Sequence, residues 1–506
     1  MGALFAILEP PEAIMTVTRC VRLIVAACVL LAPSVLAAQD LTGMSAREAA
    51  KAIRDGQITS RALVDALLNQ ANAKQSLNAF ITLNANGAKE AADKADTATR
   101  RGAPLGPLHG VPIVVKDNIN MAGLPNTAGT PALKGFVPTE TAPVLQKLID
   151  AGAIVLGKTN MHELAFGITS NNGAFGAVGN AYAPDRFAGG SSGGTGAAIG
   201  ARMAAAGLGS DTGGSVRIPA ALNGIAGLRP TAGRYPQAGI VPISHTRDTA
   251  GPMARSVSDL LLLDAVITGG AIEAAPATLS GQRLGLPKQL IAEVDPETKR
   301  LFDDAVAALR KAGAEIVDVD LAEVMELNGK VSFPVALYEL RVDLENFVKQ
   351  HGAAPDLKSV AAQIASPDVK GVFENLVFGK DAPPENAYKD AVGPHRSELI
   401  AAYNKVFDAG KLDALIFPTT PLPAQPIKGS DEKVMLNGKE VPTFFTFIRN
   451  TDPGSNAGIP GLSVPMGLTK DKLPVGLELD GPAGSDRKLL AIGMAVEEVL
   501  GKLPAP

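Results

Sequence analysis

The chain has 506 residues, 46% of them apolar, with 47 Lys and Arg against 51 Asp and Glu for a net charge of −4. Balanced charge argues against a nucleic-acid backbone as partner, which calls for a basic face, and 4% aromatics without Trp argue against a base-stacking platform. The 53 glycines cluster rather than recur at a fixed period, which excludes a collagen-like or repeat array, and the apolar content excludes a disordered chain.

Arg19 and Arg22 precede the apolar run Leu23–Ala32, which is followed by Pro33, Ser34 and the small-residue ending Val35-Leu-Ala-Ala38. A basic start, an apolar core and a Val-x-Ala pattern describe a secretory signal peptide, so a periplasmic or secreted location is expected. The alternative is a buried N-terminal helix. From Leu23 to Ala38 there are 16 residues, against roughly 20 for a membrane-spanning helix, so no stable membrane anchor is expected. Met15 reads as the start of the signal, because residues 1–14 carry two acids. Cleavage after Ala37 would divide the chain into a 1–37 extension and a 38–506 globular domain. Val25-Ala-Ala-Cys28 superficially matches a lipoprotein acceptor, but the apolar core before it is too short. Cys20 and Cys28 both fall in the segment to be removed. Cysteine nucleophiles and Cys-ligated metals are thereby excluded, and an exported protein without disulfides must rely on a large core.

Ser45-x-x-Glu48 is a capping box that opens a helix to about Gly56, and Ser60 caps a second to about Lys74. Asn78–Leu83 reads as a strand, followed by a helix to about Arg100. Val111–Val115 is a continuous apolar run ending in Lys116-Asp117, as in a strand buried on both faces. A helix over Ala142–Ala151 and a strand over Ala153–Gly157 follow. The Gly/Ser-rich tract 167–240 holds a short helix near Gly196–Ala205 and a strand near Ala206–Ser210. The βα rhythm resumes with Arg283–Leu286, Pro296–Ala312 and Ala314–Leu321. This alternation indicates an α/β fold with a mostly parallel sheet, and without a low-complexity linker one elaborated domain is expected. The stretch 325–440 is the least patterned.

No two of the five histidines, His109, His162, His245, His351 and His395, stand at i+3 or i+4, so no helical zinc motif exists. Gly194-x-Gly196-x-x-x-Gly200 has the wrong last spacing for a dinucleotide fingerprint, and no phosphate-binding Gly-x-x-x-x-Gly-Lys-Ser/Thr occurs. No metal and no cofactor are expected. Gly190-Ser-Ser192-Gly-Gly194 fits a nucleophile elbow with Ser192 as nucleophile, but the strand that should precede it is missing. A better constellation joins Lys116, at the end of a buried strand, with Ser191 in Gly189-Gly-Ser-Ser-Gly-Gly194 and Ser215 in Gly209-Ser-Asp-Thr-Gly-Gly-Ser215. Gly213-Gly214 lets the backbone turn sharply and gather N–H groups beside a nucleophilic hydroxyl, with a helix start at Val216–Ala221 adding to the anion site. A buried lysine loses its proton more readily than an exposed one, and a neutral lysine is a general base that needs neither histidine nor metal. The Ser191 hydroxyl, donor and acceptor at once, can relay the proton.

Gly110-Val-Pro-Ile-Val-Val-Lys116-Asp-Asn118, Gly189–Gly194 and Gly209–Pro219 resemble the amidase signature family, and the resemblance runs from about Leu41 to the C-terminus. It includes Asp413-Ala-Leu-Ile-Phe-Pro418 and Gly458-Ile-Pro-Gly-Leu-Ser-Val-Pro465. The resemblance implies one α/β domain, with a large mixed, mostly parallel twisted sheet covered by helices on both faces. It implies a Ser–cis-Ser–Lys triad of Ser215 as nucleophile, Ser191 as bridge and Lys116 as base. The implied oxyanion hole is the amides of Thr212, Gly213, Gly214 and Ser215, with Ser192, Asp211 and Arg217 bracing the site. Ala188, where Pro is common, and Glu478-Leu-Asp480, where Gln-Leu is usual, depart from the pattern and bear on the substrate pocket.

Thr159–Asn172 and Val241–Asp248 are similar to the mandelamide and indoleacetamide hydrolase branch, which points to arylacetamide-type primary amides. The aromatic cluster Phe444–Phe447 offers a wall for such an acyl group, although core packing is the commoner use of such residues. The implied reaction takes a small-molecule primary carboxamide to carboxylate and ammonia through an acyl-enzyme. No nucleic acid is implied, and a homodimer is left open. Three alternatives stand beside it: an esterase using the same triad, the A subunit of a glutamyl-tRNA amidotransferase, and a catalytically dead binding protein.

Overall fold

In the computed structural model, strands Pro112–Lys116, Ile154–Thr159 and Ala206–Asp211 are buried at every residue. Successive side chains of a strand point to opposite faces, so full burial means that helices or loops cover both. The structure describes residues 40–506; the expected signal segment, with Met15, both cysteines and the Ala37 cleavage point, lies outside the described residues. Leu41–Pro506 forms one compact unit.

Eleven strands form one sheet. Parallel pairing is confined to two blocks. Pro112–Lys116 runs parallel to Ile154–Thr159 and to Ala206–Asp211, and Arg283–Pro287 runs parallel to Glu315–Val319 and to Ala414–Pro418. Each block contains a βα-β crossover, through helix Pro143–Asp150 in one and Pro296–Lys311 in the other. Elsewhere neighbours are antiparallel, as for Ala206–Asp211 with Thr249–Ala254 and Gly461–Leu468 with Pro474–Asp480. The sheet is therefore mixed, and the expectation of a mostly parallel one holds only within the two blocks.

Local chemistry sets the elements much as the sequence suggests, with two corrections. Ser45 and Glu48 form the reciprocal capping box of helix Ala46–Arg54. The next helix, Ser60–Ala73, is capped by Thr59, whose hydroxyl accepts from the Ala62 N–H; Ser60 instead donates its hydroxyl to the Gly110 carbonyl at 2.8 Å. Within the unpatterned stretch lies the longest helix among the described residues, Ala322–His351. Its first half packs Val324, Leu327, Val331 and Val335 into one cluster, beside Leu399 and Phe407. Its second half packs Leu337, Leu340, Leu344 and Phe347 into another, with Leu133 and Met161. The buried stripe changes cluster around Pro334, with Val335 still in the first and Phe333 already against the second, so no single 3.6-residue period runs through it. Among the described residues no helix is long and apolar enough to cross a membrane.

Candidate active site

Because Pro112–Lys116 and Ala206–Asp211 are parallel neighbours, their C-terminal ends deliver Lys116 and the Ser210-Asp211 pair to the same sheet edge. Lys116 is fully buried. Its Nζ donates to Ser191 Oγ and to Ser210 Oγ, both at 2.8 Å. Burial, opposed by the charges of Asp211 and Asp248, pushes the ammonium down from its ordinary value of 10.5 to about 7. Asn118 donates to the same Ser210 hydroxyl at 3.0 Å. Ser210 and Asn118, which stand in the motifs that carry the resemblance, together fix the lysine head.

The Gly190–Ser191 peptide bond is cis. A Cβ on Gly190 would sit 2.9 Å from the Ile168 backbone, so only glycine lets the loop approach that closely. His162 N–H donates to the Ser191 carbonyl at 3.1 Å. Ser192 is buried, its hydroxyl lies 3.2 Å from the Ser210 carbonyl and 3.3 Å from the Ser210 N–H, and its N–H donates to the Ser215 carbonyl at 3.1 Å. It ties the three loops together and does not line the cavity, contrary to what a nucleophile elbow requires. Ser215 is 9% exposed and lines a cavity of about 480 Å³.

The Asp211 carboxylate accepts the N–H groups of Gly214 at 2.8 Å and Val216 at 3.1 Å. Arg217 grips it through Nε and a terminal nitrogen at 3.1 and 3.2 Å, and Arg229 through another at 3.0 Å. Burial acts to raise this carboxyl, but the two guanidiniums hold it well below the usual carboxylate range. Asp211 thus ties the Gly214 and Val216 amides to Arg217 across the turn. The Gly214 N–H, however, is committed to Asp211, which corrects its expected part in the oxyanion hole. The amides of Thr212, Gly213 and Ser215 remain, and those three residues line the cavity. Gly214 has φ +141°, and a Cβ there would meet Thr451 Oγ1 at 2.1 Å. The helix after the turn, Arg217–Leu222, has only six residues, which leaves it a weak dipole.

Glu478 and Asp480 lie behind the site rather than in its pocket. Arg217 donates to Glu478 Oε1 at 2.8 Å and approaches Asp480 at 3.9 Å. Ala188 is fully buried and is not a cavity residue, so neither departure from the family pattern shapes the pocket.

Phe166, Phe333, Phe444 and Phe445 wall the cavity together with Ile168 and Met325. Phe333, from the long helix, lies 5.3 Å from Phe445 and 6.1 Å from Phe444 between ring centroids. Phe447 turns the other way, into the core against Phe187 at 5.2 Å. The aromatic cluster is therefore split between cavity lining and core packing. Phe333 and Asp452 come from segments without a motif and Phe166 and Arg247 from the two segments that carry the branch resemblance, and only tertiary structure brings the four to the cavity that Ser215 lines.

One group of metal-ligating side chains occurs among the described residues, His245, Glu339 and Asp343, with ligand atoms within 4.8 Å of one another. Glu339 already accepts from the hydroxyls of Ser244, Thr246 and Tyr388, and Asp343 accepts from the His245 N–H at 2.8 Å. The carboxylates are in use as hydrogen-bond acceptors.

A family model described as Amidase matches residues 62–490. Mandelamide hydrolase of Pseudomonas putida is 44% identical over 482 residues, covering 92% of this chain and 94% of that one. Indoleacetamide hydrolase of Agrobacterium vitis is 42% identical over 440 residues, covering 87% and 93%. Among solved structures, the peptide amidase of Stenotrophomonas maltophilia superposes with a TM-score of 0.78 at 32% identity, covering 92% of this chain and 98% of that one. A structure described as an amidase reaches 0.80 at 34% identity over 90% and 100%. With a matching family model over most of its length and these relatives, the chain belongs to the amidase signature family.

Proposed function

We propose that this enzyme hydrolyses primary carboxamides of the arylacetamide type to a carboxylate and ammonia, with Ser215 as nucleophile, Ser191 as bridge and Lys116 as general base. The observation that carries the assignment is a fully buried lysine at about 7, donating to Ser191 beside a cavity that Ser215 lines. Neutral Lys116 accepts a proton from Ser191 as Ser191 accepts that of Ser215, and the alkoxide oxygen attacks the amide carbon. The negative charge on the carbonyl oxygen rests on the amides of Thr212, Gly213 and Ser215. Collapse of the tetrahedral intermediate breaks the C–N bond, and the proton returns from Lys116 through Ser191 to the leaving nitrogen, releasing ammonia. Water then attacks the acyl-enzyme by the same proton route and frees the carboxylate.

The four phenylalanines of the cavity give an aryl group faces and edges to pack against, and the relatives named for mandelamide and indoleacetamide share that acyl chemistry. Ammonia release measured over a panel of primary amides tests the substrate class. Arylacetamides are expected to lead, and equal rates on acetamide would refute the aromatic preference. The residue pattern at 19–38 supports export. Fractionation of the tagged full chain should find a processed protein in the periplasm or medium; unprocessed protein in the cytosol would reject it.

A further inference from the structure

We propose that Arg247 is a positioning residue that aims the Gly213 amide at the oxyanion, a role that rests on the reading of Ser215 as nucleophile. Arg247 is 3% exposed and lines the cavity. One terminal nitrogen donates to the Ser332 carbonyl at 3.0 Å, and the other to the Thr212 carbonyl at 3.3 Å and to Asp452 Oδ1. The Thr212–Gly213 peptide is planar and trans, so its N–H points opposite to its C=O. Holding that carbonyl against the guanidinium therefore turns the Gly213 N–H away from Arg247. The next peptide is held in the same way. Thr451 donates its hydroxyl to the Gly213 carbonyl at 2.7 Å, which leaves the Gly214 N–H directed at Asp211.

The anchor is itself held from two directions. Asp452 accepts from Asn328 at 2.9 Å and Asn456 at 3.0 Å, and Arg229 donates to the Arg247 carbonyl at 2.7 Å. Gly213 has no room to shift towards this scaffold. A Cβ there would meet Ile448 at 2.9 Å, Asp452 at 3.1 Å and Arg247 at 3.3 Å. The contact with Ser332 places the neighbour of Phe333, a wall of the acyl cavity, on the same guanidinium. Arg247 thus joins the element that seats the acyl group to the element that receives the oxyanion, without touching the reacting atoms.

An oxyanion donor is worth about 10²–10³ in rate, and misaiming one forfeits part of that. Arg247→Met is expected to lower kcat on an arylacetamide about 10–100-fold with KM within about threefold, because the lost interaction exists only in the transition state. The affinity of a matching aryl trifluoromethyl ketone, which forms an oxyanion on the serine, should fall by the same factor. Arg247→Lys, which keeps a donor of shorter reach, should recover part of both losses, and it decides the matter should the methionine variant not fold. A folded variant with wild-type kcat and ketone affinity, or one that changes KM alone, overturns the proposal. Labelling of the wild-type enzyme by a fluorophosphonate distinguishes the two readings. If Ser215 is unlabelled, the nucleophile assignment has failed; if it is labelled while Arg247→Met is fully active, only the positioning role has.

Discussion

The lysine makes the sharpest demand on the mechanism, because only its uncharged form can take a proton. Moving a lysine from 10.5 to about 7 amounts to about 5 kcal/mol against the ammonium, at about 1.4 kcal/mol per pH unit. The neutral fraction is then about one-tenth at pH 6, half at pH 7 and nine-tenths at pH 8. The kcat/KM of an arylacetamide, followed by ammonia release, should rise about tenfold across that interval and level off above it. The stability consequence has the opposite cost. Unfolded, the group stays protonated up to 10.5, so the folded state binds fewer protons between about 7 and 10.5 and gains stability as pH rises through that window. Below about 7 the full penalty applies. Lys116→Met should therefore be inactive yet more resistant to urea at pH 6 than the wild type, less the hydrogen bonds lost to Ser191 and Ser210, and the advantage should shrink towards pH 10. A rate independent of pH from 6 to 8, or a methionine variant at full rate, would refute the base assignment.

Ser215→Ala should abolish turnover and fluorophosphonate labelling while leaving the thermal midpoint close to that of the wild type, whereas labelling that persists on Ser192 would restore the elbow. Asp211→Asn leaves two buried guanidiniums without their shared carboxylate, and a loss of about 3–5 kcal/mol is expected in denaturant titration, together with activity. Asp480→Asn should contrast with it. Burial and the neighbouring Glu478 push Asp480 well above the usual carboxylate range despite Arg217, so the folded state disfavours its charged form and the nearly isosteric amide should be tolerated. A loss at Asp480 as large as that at Asp211 would show it to be ionised. Phe444→Ala removes a cavity wall and should raise KM for arylacetamides roughly tenfold, on the scale of about 1–3 kcal/mol for a buried apolar group, with little change for acetamide.

What a sequence discloses of such a site depends on the range of the interaction. Ser191 and Ser215 stand in short glycine-rich words whose backbone requirements are local, and the apolar run 111–115 that ends in Lys116 announces a strand covered on both faces. The long helix did not announce itself, because its apolar stripe passes from one cluster to another around Pro334. Only part of the charge network behind the turn is legible, since Asp211 and Arg217 share one motif and the other members do not. Arg217, Arg229 and Arg247 are all buried, and they meet the buried acids Asp211, Asp452, Glu478 and Asp480, with Arg217 and Glu478 lying 261 residues apart. No spacing rule links these positions. Three buried cations meet four buried acids, and burial beside Glu478 pushes Asp480, whose two oxygens have no hydrogen-bond partner among the described residues, well above the usual carboxylate range. The departure at Glu478-Leu-Asp480 leaves the site's bracing in place: Arg217 is held by Glu478 and Asp211, and the turn bearing Ser215 keeps its two carboxylate-bound amides.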